Sequence, residues 1–191
     1  MTDIDYQDPK FHLLSRGRIN ADLIDGLFPI ERSEWGNYRH FQEWPMHVLR
    51  LHRVISDACN RLIKGFERIL DGSESGSEYL IANSGMAQLG LDLVAHVHHH
   101  HNYEDVNVLP GFMARFPQLT NAIDLLEKDH VFLNDTLYQS EVVFAQLRRK
   151  GAGKMQIDKA LEQAKILSRI LTLHTEDEED VLIPAVLDAY S

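Results

Sequence analysis

Hydrophobic residues recur at spacings of three and four along most of this chain, which is the period of an amphipathic helix. No stretch shows the alternation of a half-buried strand. The first periodic segment opens after Trp44-Pro45, a proline well placed in a first helical turn, and ends at a Gly/Ser-rich loop over 71–77. The second runs from about Glu78 to Val108 and is predicted to stop at Leu109-Pro110-Gly111.

Two more segments with the same period follow. The third begins at Thr120 or Asn121, either of which is an acceptable N-cap, and ends before a short Gly-containing loop over 150–154. The fourth keeps its phase from Ala160 to Glu178 and passes into 181–184. Four helices of about 25 residues joined by short loops predict an all-α fold, an antiparallel up-down-up-down four-helix bundle.

Residues 1–44 carry a mixed charge pattern without a sustained period. We interpret them as an ordered N-terminal arm with one short helix, packed on a bundle that spans 45–191. The large aromatic residues of this arm are expected to cover one end of the bundle rather than to bind a ligand. They are Trp35, Trp44 and Phe28 of the Phe28-Pro29 pair.

Composition narrows the possible partners. Lys and Arg number 19 against 29 Asp and Glu, so the 191-residue chain carries a net charge of −10, which disfavours nucleic acid and anionic membrane surfaces. No apolar run approaches the roughly 20 residues of a membrane-spanning helix. A single cysteine, Cys59, and the absence of a signal-peptide pattern favour the reducing cytoplasm.

The unusual feature is a set of 11 histidines, two of which stand in matching motifs. In both motifs a histidine precedes a glutamate by four residues, and that glutamate precedes a proline by six. A spacing of four puts imidazole and carboxylate on one helix face, where both can reach the same metal. The two motifs are His100, Glu104 and Pro110 on the second helix, and His174, Glu178 and Pro184 on the fourth.

Single histidines on the other two helices complete this set. His52 shares its stripe with Ile55 and is preferred to His47, which lies on another face, while His130 is flanked by apolar neighbours. Buried glutamates without a cation would cost several kcal/mol. Four imidazoles and two carboxylates therefore predict a dinuclear metal centre, and nitrogen and oxygen donors without thiolate favour iron over structural zinc.

The run of four histidines at 98–101 leaves alternatives open, because successive helical residues point about 100° apart. His101 could pair with Asp105 in another register, although the distance to the proline favours His100. His98 and His99 are expected to face solvent or neighbouring helices. His96, one turn before His100, is interpreted as either a further ligand or a hydrogen-bond partner of one.

These motifs resemble the hemerythrin-like, or HHE cation-binding, domains, which are four-helix bundles that hold a non-haem di-iron centre. The resemblance covers about 45–188 and implies that the metal ligands are His52, His100, Glu104, His130, His174 and Glu178, with the two glutamates bridging the metals. Ferritin-like di-iron bundles are the nearest rival, but they use Glu-x-x-His, the opposite order at a different spacing.

The resemblance implies two iron ions, oxo- or hydroxo-bridged, that bind or sense a small ligand such as O2, NO or peroxide at open positions. Alternative functions are iron-sulfur cluster repair or NO reduction, as in family members with four histidines and two glutamates, and metal storage or partner docking. The oxygen-carrying members have five histidines, two of them on the third helix. This chain lacks that pair, because Leu126 and Asn134 stand four residues before and after His130.

Overall fold

The computed structural model describes residues 4–19, 21–24, 28, 30–72, 76–148 and 152–190, of which 21–22 and 76–83 are described by their backbone alone. Within these residues there is no β-strand. Four long helices dominate: α3 (Trp44–Leu70), α4 (Gly76–Tyr103), α6 (Thr120–Gln146) and α7 (Lys154–Ala189). Short helices α1 (Leu13–Arg16) and α2 (Ala21–Ile24) precede them, and α5 (Leu109–Arg115) follows α4.

The sequence period explains the long helices. In α3, residues spaced by three and four are buried on one face, among them Val48, Ile55, Leu62 and Phe66. Pro45 lies in its first turn, where the missing N–H has no intrahelical partner to lose. The prediction of an all-α fold built on four long helices is therefore confirmed.

The chain divides into two compact units. The first comprises 1–53, 101–131 and 172–191. In it α3 and α6 begin while α4 and α7 end, so successive long helices alternate in direction. Its core contains Leu119, Ile123, Leu126 and Leu182, all fully buried.

The second unit comprises 54–100 and 132–171. Its core includes the stacked rings of Phe66 and Phe144, whose centroids are 6.2 Å apart. Gly90 lies against Phe144 so closely that a Cβ would come within 2.6 Å of the ring. Cys59 is a buried free thiol in this unit, as expected of a small core residue.

The prediction that the second helix stops at 109–111 is wrong. The α-helical hydrogen bonds end at Tyr103, but a π turn over 104–108 follows, and the chain continues as α5 to Arg115. The Leu109 N–H donates to the Glu104 carbonyl, five residues earlier. Proline is tolerated here because Pro110 occupies the first turn of a new helix.

The described part of the arm belongs to the first unit. Trp35 is buried against Ile183 and Leu187, and the Phe28 ring meets Phe116 edge to face at 5.7 Å. Pro29 and parts of the predicted loops, 73–75 and 149–151, lie outside the described residues. The described part of the arm contains two short α-helices, α1 and α2, and the 3-10 helices Arg32–Asn37 and Arg39–Gln42, where the sequence predicted one short helix.

Candidate metal centre

Buried histidines and glutamates from the long helices meet in the first unit. Each of these side chains is exposed by 8% or less, although imidazoles and carboxylates are rarely buried without a partner. The π turn matters because it carries Glu104, the residue that ends the His-x-x-x-Glu motif. The contributing residues are His52 of α3, His101 of α4, Glu104 of the π turn, His130 of α6, and His174 and Glu178 of α7.

The first group of donors consists of three imidazoles. One ring nitrogen from each of His101, His130 and His174 lies within 4.8 Å of the other two. The Nε2 atoms of His130 and His174 are 2.9 Å apart, and the His101 ring stacks on that of His130 with centroids 4.3 Å apart. Three nitrogens directed at one small volume fit a single metal ion.

The second group contains both glutamates. His52, Glu104 and Glu178 contribute one donor atom each, and these three atoms lie within 4.8 Å of one another. His100, one turn before Glu104 on α4, is the fourth member of the group. The His52 Nε2 atom is 3.3 Å from Glu178 Oε2. This group also fits one metal ion by the chemistry of its donors, two imidazoles and two carboxylates.

The two glutamates also lie close to the first group. Glu104 Oε2 is 3.9 Å from His130 Nε2, and Glu178 Oε2 is 4.0 Å from His174 Nε2. Each carboxylate is therefore near nitrogen donors of both groups. A carboxylate in that position can give one oxygen to each of two metals.

The electrostatics of the metal-free protein reflect a concentration of buried acid. Burial, together with the adjacent Glu178 carboxylate, raises the pKa of Glu104 far above its ordinary value. Burial acts to lower the pKa of His52, but hydrogen bonds to Glu178 and Glu179 outweigh it and raise that pKa to about 9. Without a metal, the site therefore holds protons at neutral pH that a cation would displace.

In three of the histidines, the ring nitrogen that is not part of a donor group lies near a carboxylate. His130 Nδ1 lies 2.6 Å from Asp105 Oδ1, and His52 Nδ1 lies 2.9 Å from Glu179 Oε1. Because a carboxylate accepts, these Nδ1 atoms carry hydrogen, and the Nε2 atoms face the donor groups. His174 Nδ1 is directed at Asp129 Oδ2 over 3.7 Å.

Burial lowers the pKa of His174, although the Asp129 carboxylate partly opposes this effect. Burial would raise the pKa of Asp129, but the Arg16 guanidinium reverses that effect and lowers it. A neutral imidazole held by an ionised carboxylate is the form that binds a metal.

All six residues that the resemblance assigned are buried and belong to these two groups. His47, the rejected alternative to His52, is exposed. His96 is also exposed and is in neither group, so we leave it out of the ligand set.

His101 was not among the ligands predicted from the sequence, because the two registers, His100 with Glu104 and His101 with Asp105, were treated as exclusive. Two consecutive helical residues can straddle the direction of the core, each about 50° from it. Both His100 and His101 are buried for this reason. The available signal was the second His-x-x-x-acid pair, because Asp105 lies four residues after His101 and holds His130.

Comparison with known families agrees with this geometry. Residues 47–186 match the model of the hemerythrin HHE cation binding domain. The match covers most of the chain, and the chain therefore belongs to the hemerythrin HHE cation-binding family. No curated protein and no solved structure gave a significant match. Among the described residues, no helix has the length and apolar character needed to cross a bilayer.

Proposed function

We propose that this protein holds a dinuclear iron centre and binds or senses a small ligand, O2, NO or peroxide, at an open iron position. The observation that carries this proposal is the division of seven buried donors into two adjacent groups with two carboxylates near both. A single ion would leave several of these buried polar groups without a cation. Family membership supports the choice of a cation as the occupant.

The donor chemistry supports iron. Seven nitrogen- and oxygen-bearing side chains without a thiolate exceed the four ligands of a structural zinc site. In this assignment His101, His130 and His174 hold one iron, His52 and His100 hold the other, and Glu104 and Glu178 bridge them. An oxo or hydroxo bridge would complete the pair, and such a centre would supply redox-active ions to which a diatomic molecule or peroxide could bind.

The donor count indicates where the small ligand binds. Six-coordinate iron offers about six positions. Three imidazoles, two carboxylates and a bridging oxygen would fill the positions of the first iron, whereas the iron held by His52 and His100 would have one imidazole fewer and therefore one position for a small ligand. The carboxylates behind the histidines fix the rings and exclude other tautomers.

The fifth histidine, His101, favours a ligand binder over iron-sulfur repair or NO reduction, which the sequence offered as alternatives on a four-histidine set. Storage is disfavoured because all donors belong to one buried site of fixed composition. A reducing, cytoplasmic location suits the protein, since its single cysteine is a buried free thiol.

The test is the metal content of protein purified anaerobically from iron-supplemented cells, measured by mass spectrometry. We expect about two irons per chain in the wild type and about one in His100→Ala, because the iron held by His52 would keep a single imidazole. His99→Ala is the matched control, because His99 is exposed on the same helix and should keep both irons. One zinc per chain, or an unchanged iron content in His100→Ala, would overturn the assignment.

The ligand is tested on the iron-loaded protein by absorption spectroscopy with azide and NO. New charge-transfer bands on addition of either are expected if one position is open. Two irons per chain without any spectral response would keep the di-iron centre but refute ligand binding, and would favour storage or a structural role.

A further inference from the structure

The N-terminal arm reaches the carboxylates that orient the metal-binding histidines. Arg16, at the end of α1, is buried with only 1% of its side chain exposed. Its Nη1 and Nη2 atoms donate to the two oxygens of Asp129 at 2.8 and 2.5 Å. The Tyr6 hydroxyl adds a third hydrogen bond, at 2.6 Å to Asp129 Oδ1. Asp129 is thus fixed by two arm residues, and it is the carboxylate that faces His174 Nδ1.

The Arg16 guanidinium also contacts α7, the helix that carries His174 and Glu178. Arg16 Nη2 donates to Asp177 Oδ2 at 2.6 Å, and the Ile19 N–H donates to Asp177 Oδ1 at 2.7 Å. Asp177 directly precedes Glu178 in sequence. One buried arginine therefore ties together the α6 and α7 segments beside His130, His174 and Glu178.

A second arm arginine repeats this arrangement on the other donor group. Arg32 Nη1 donates to Glu179 Oε2 at 2.6 Å, and the other oxygen of Glu179 is 2.9 Å from His52 Nδ1. The guanidinium plane also lies over the Trp35 ring at 4.7 Å, which limits its rotation. Each donor group thus has one histidine held by a carboxylate that an arm arginine holds in turn.

We propose that Arg16 and Arg32 are positioning residues of the metal centre, so that docking of the arm and retention of the metals are thermodynamically linked. The proposal rests on the metal centre proposed above. A carboxylate that must orient an imidazole works best when its own rotation is fixed, and a bidentate arginine fixes it. Folding stability alone explains these arginine–carboxylate pairs poorly, because a buried ion pair stabilises a protein little more than apolar packing does.

Linkage is reciprocal. If the arm holds the ligands in place, loss of an arm contact must speed metal loss, and bound metal must in turn stabilise the docked arm. Changes to the hydrogen-bonding partners of metal ligands weaken metal binding by about 10- to 100-fold.

Arg32 offers the sharper test, because it has a matched control in Arg18. Both arginines are partly exposed, at 41% and 58%, and both pair with Asp180 of α7. Only Arg32 contacts a carboxylate that holds a candidate ligand. The pair Arg32→Gln and Arg18→Gln therefore separates positioning from general anchoring of the arm.

The experiment loads each full-length protein with Fe(II) anaerobically and follows the loss of iron to an excess of chelator. Arg32→Gln is expected to lose iron about tenfold faster than wild type, whereas Arg18→Gln stays within about twofold. Free energies of unfolding of the metal-free variants serve as the structural readout. They should fall further in Arg32→Gln, because this variant also loses the contacts with Glu179 and Trp35, so the readout that separates positioning from anchoring is the rate of iron loss from the folded proteins.

Hydrogen exchange of the arm tests the reciprocal effect. The Ile19 N–H, bonded to Asp177, should exchange more slowly in iron-loaded than in metal-free wild-type protein. Arg16→Lys keeps the charge but loses the bidentate fork, and should release iron faster than wild type; Arg16→Gln should do so more strongly if it folds.

Two results would overturn the linkage alone. They are equal iron-loss rates in Arg32→Gln and Arg18→Gln, or the same Ile19 exchange with and without iron, in a wild-type protein that holds two irons. A wild-type protein that holds no iron would overturn the proposed function, and this inference with it.

Discussion

Replacing Glu104 by glutamine should stabilise the metal-free protein while it impairs the metal centre. Glu104 is buried next to Glu178, and both effects favour the neutral carboxylic acid. Folding at neutral pH must therefore place a proton on a group that is ionised in the unfolded chain. A glutamine at this position has nearly the same shape and needs no proton.

The expected gain follows from the difference between pH and the ordinary pKa of 4.5. A folded-state pKa raised above the unfolded value gives stability that is complete below pH 4.5 and is lost as pH rises towards the folded-state pKa. At pH 7, about 2.5 pH units above the ordinary pKa, protonating Glu104 on folding costs about 3 kcal/mol. At pH 5, which is close to the ordinary pKa, the stabilisation expected from Glu104→Gln is less than about 1 kcal/mol.

The assay is urea denaturation of chelator-treated protein, wild type and Glu104→Gln, at pH 5 and pH 7. Glu104→Gln should unfold at higher urea concentration at pH 7, and most of its advantage should disappear at pH 5. Glu141→Gln, at an exposed position of α6, is the control and should change little at either pH. The iron content of Glu104→Gln should fall. A destabilising effect at pH 7, or one independent of pH, would refute the electrostatic reasoning.

Three further outcomes are expected. His52 should contribute about 3 kcal/mol to the fall in the free energy of unfolding of the metal-free protein as pH rises from 6.5 through 9, because its raised pKa favours the folded state only while the imidazole is protonated. In urea titrations His52→Asn should reduce the slope by that amount, while Glu104 continues to contribute to the slope that remains. Gly90→Ala should destabilise by about 1–3 kcal/mol through its clash with Phe144, whereas Gly85→Ala, with open space around its Cβ, should stabilise by about 0.5–1 kcal/mol in thermal melts. Cys59 should react with iodoacetamide only on unfolding, because burial raises the pKa of its thiol to about 11.

The helices and most of the donors could be predicted because both depend on short spacings. A period of three to four fixes the buried face of α3, and the same period places His174 one turn from Glu178. The assumption of a regular helix is also the reason why the predicted end of the second helix is wrong. The sequence pattern predicted that this helix stops at Pro110, whereas a π turn carries the chain past the proline into α5.

Two of the three carboxylates that orient the histidines could not be predicted from spacing. Asp129 and Glu179 are adjacent in sequence to other acidic or ligating residues, and nothing local distinguishes them from a solvated helix surface. Their role depends on Arg16 and Arg32, which come from a segment without a clear period. Only the tertiary structure reveals such a contact.

The separation of these contacts along the chain has a consequence for how the protein matures. Arg16 and Asp177 are 161 residues apart, so the ribosome adds α7 long after the arm has left it. At typical rates of synthesis the interval is roughly 10 to 30 s. During that time the nascent chain lacks His174 and Glu178, and the arginine has no completed partner set. The complete donor set of the proposed centre therefore forms only after α7 has been synthesised, and chains that stop before α7 would lack two of its seven donors.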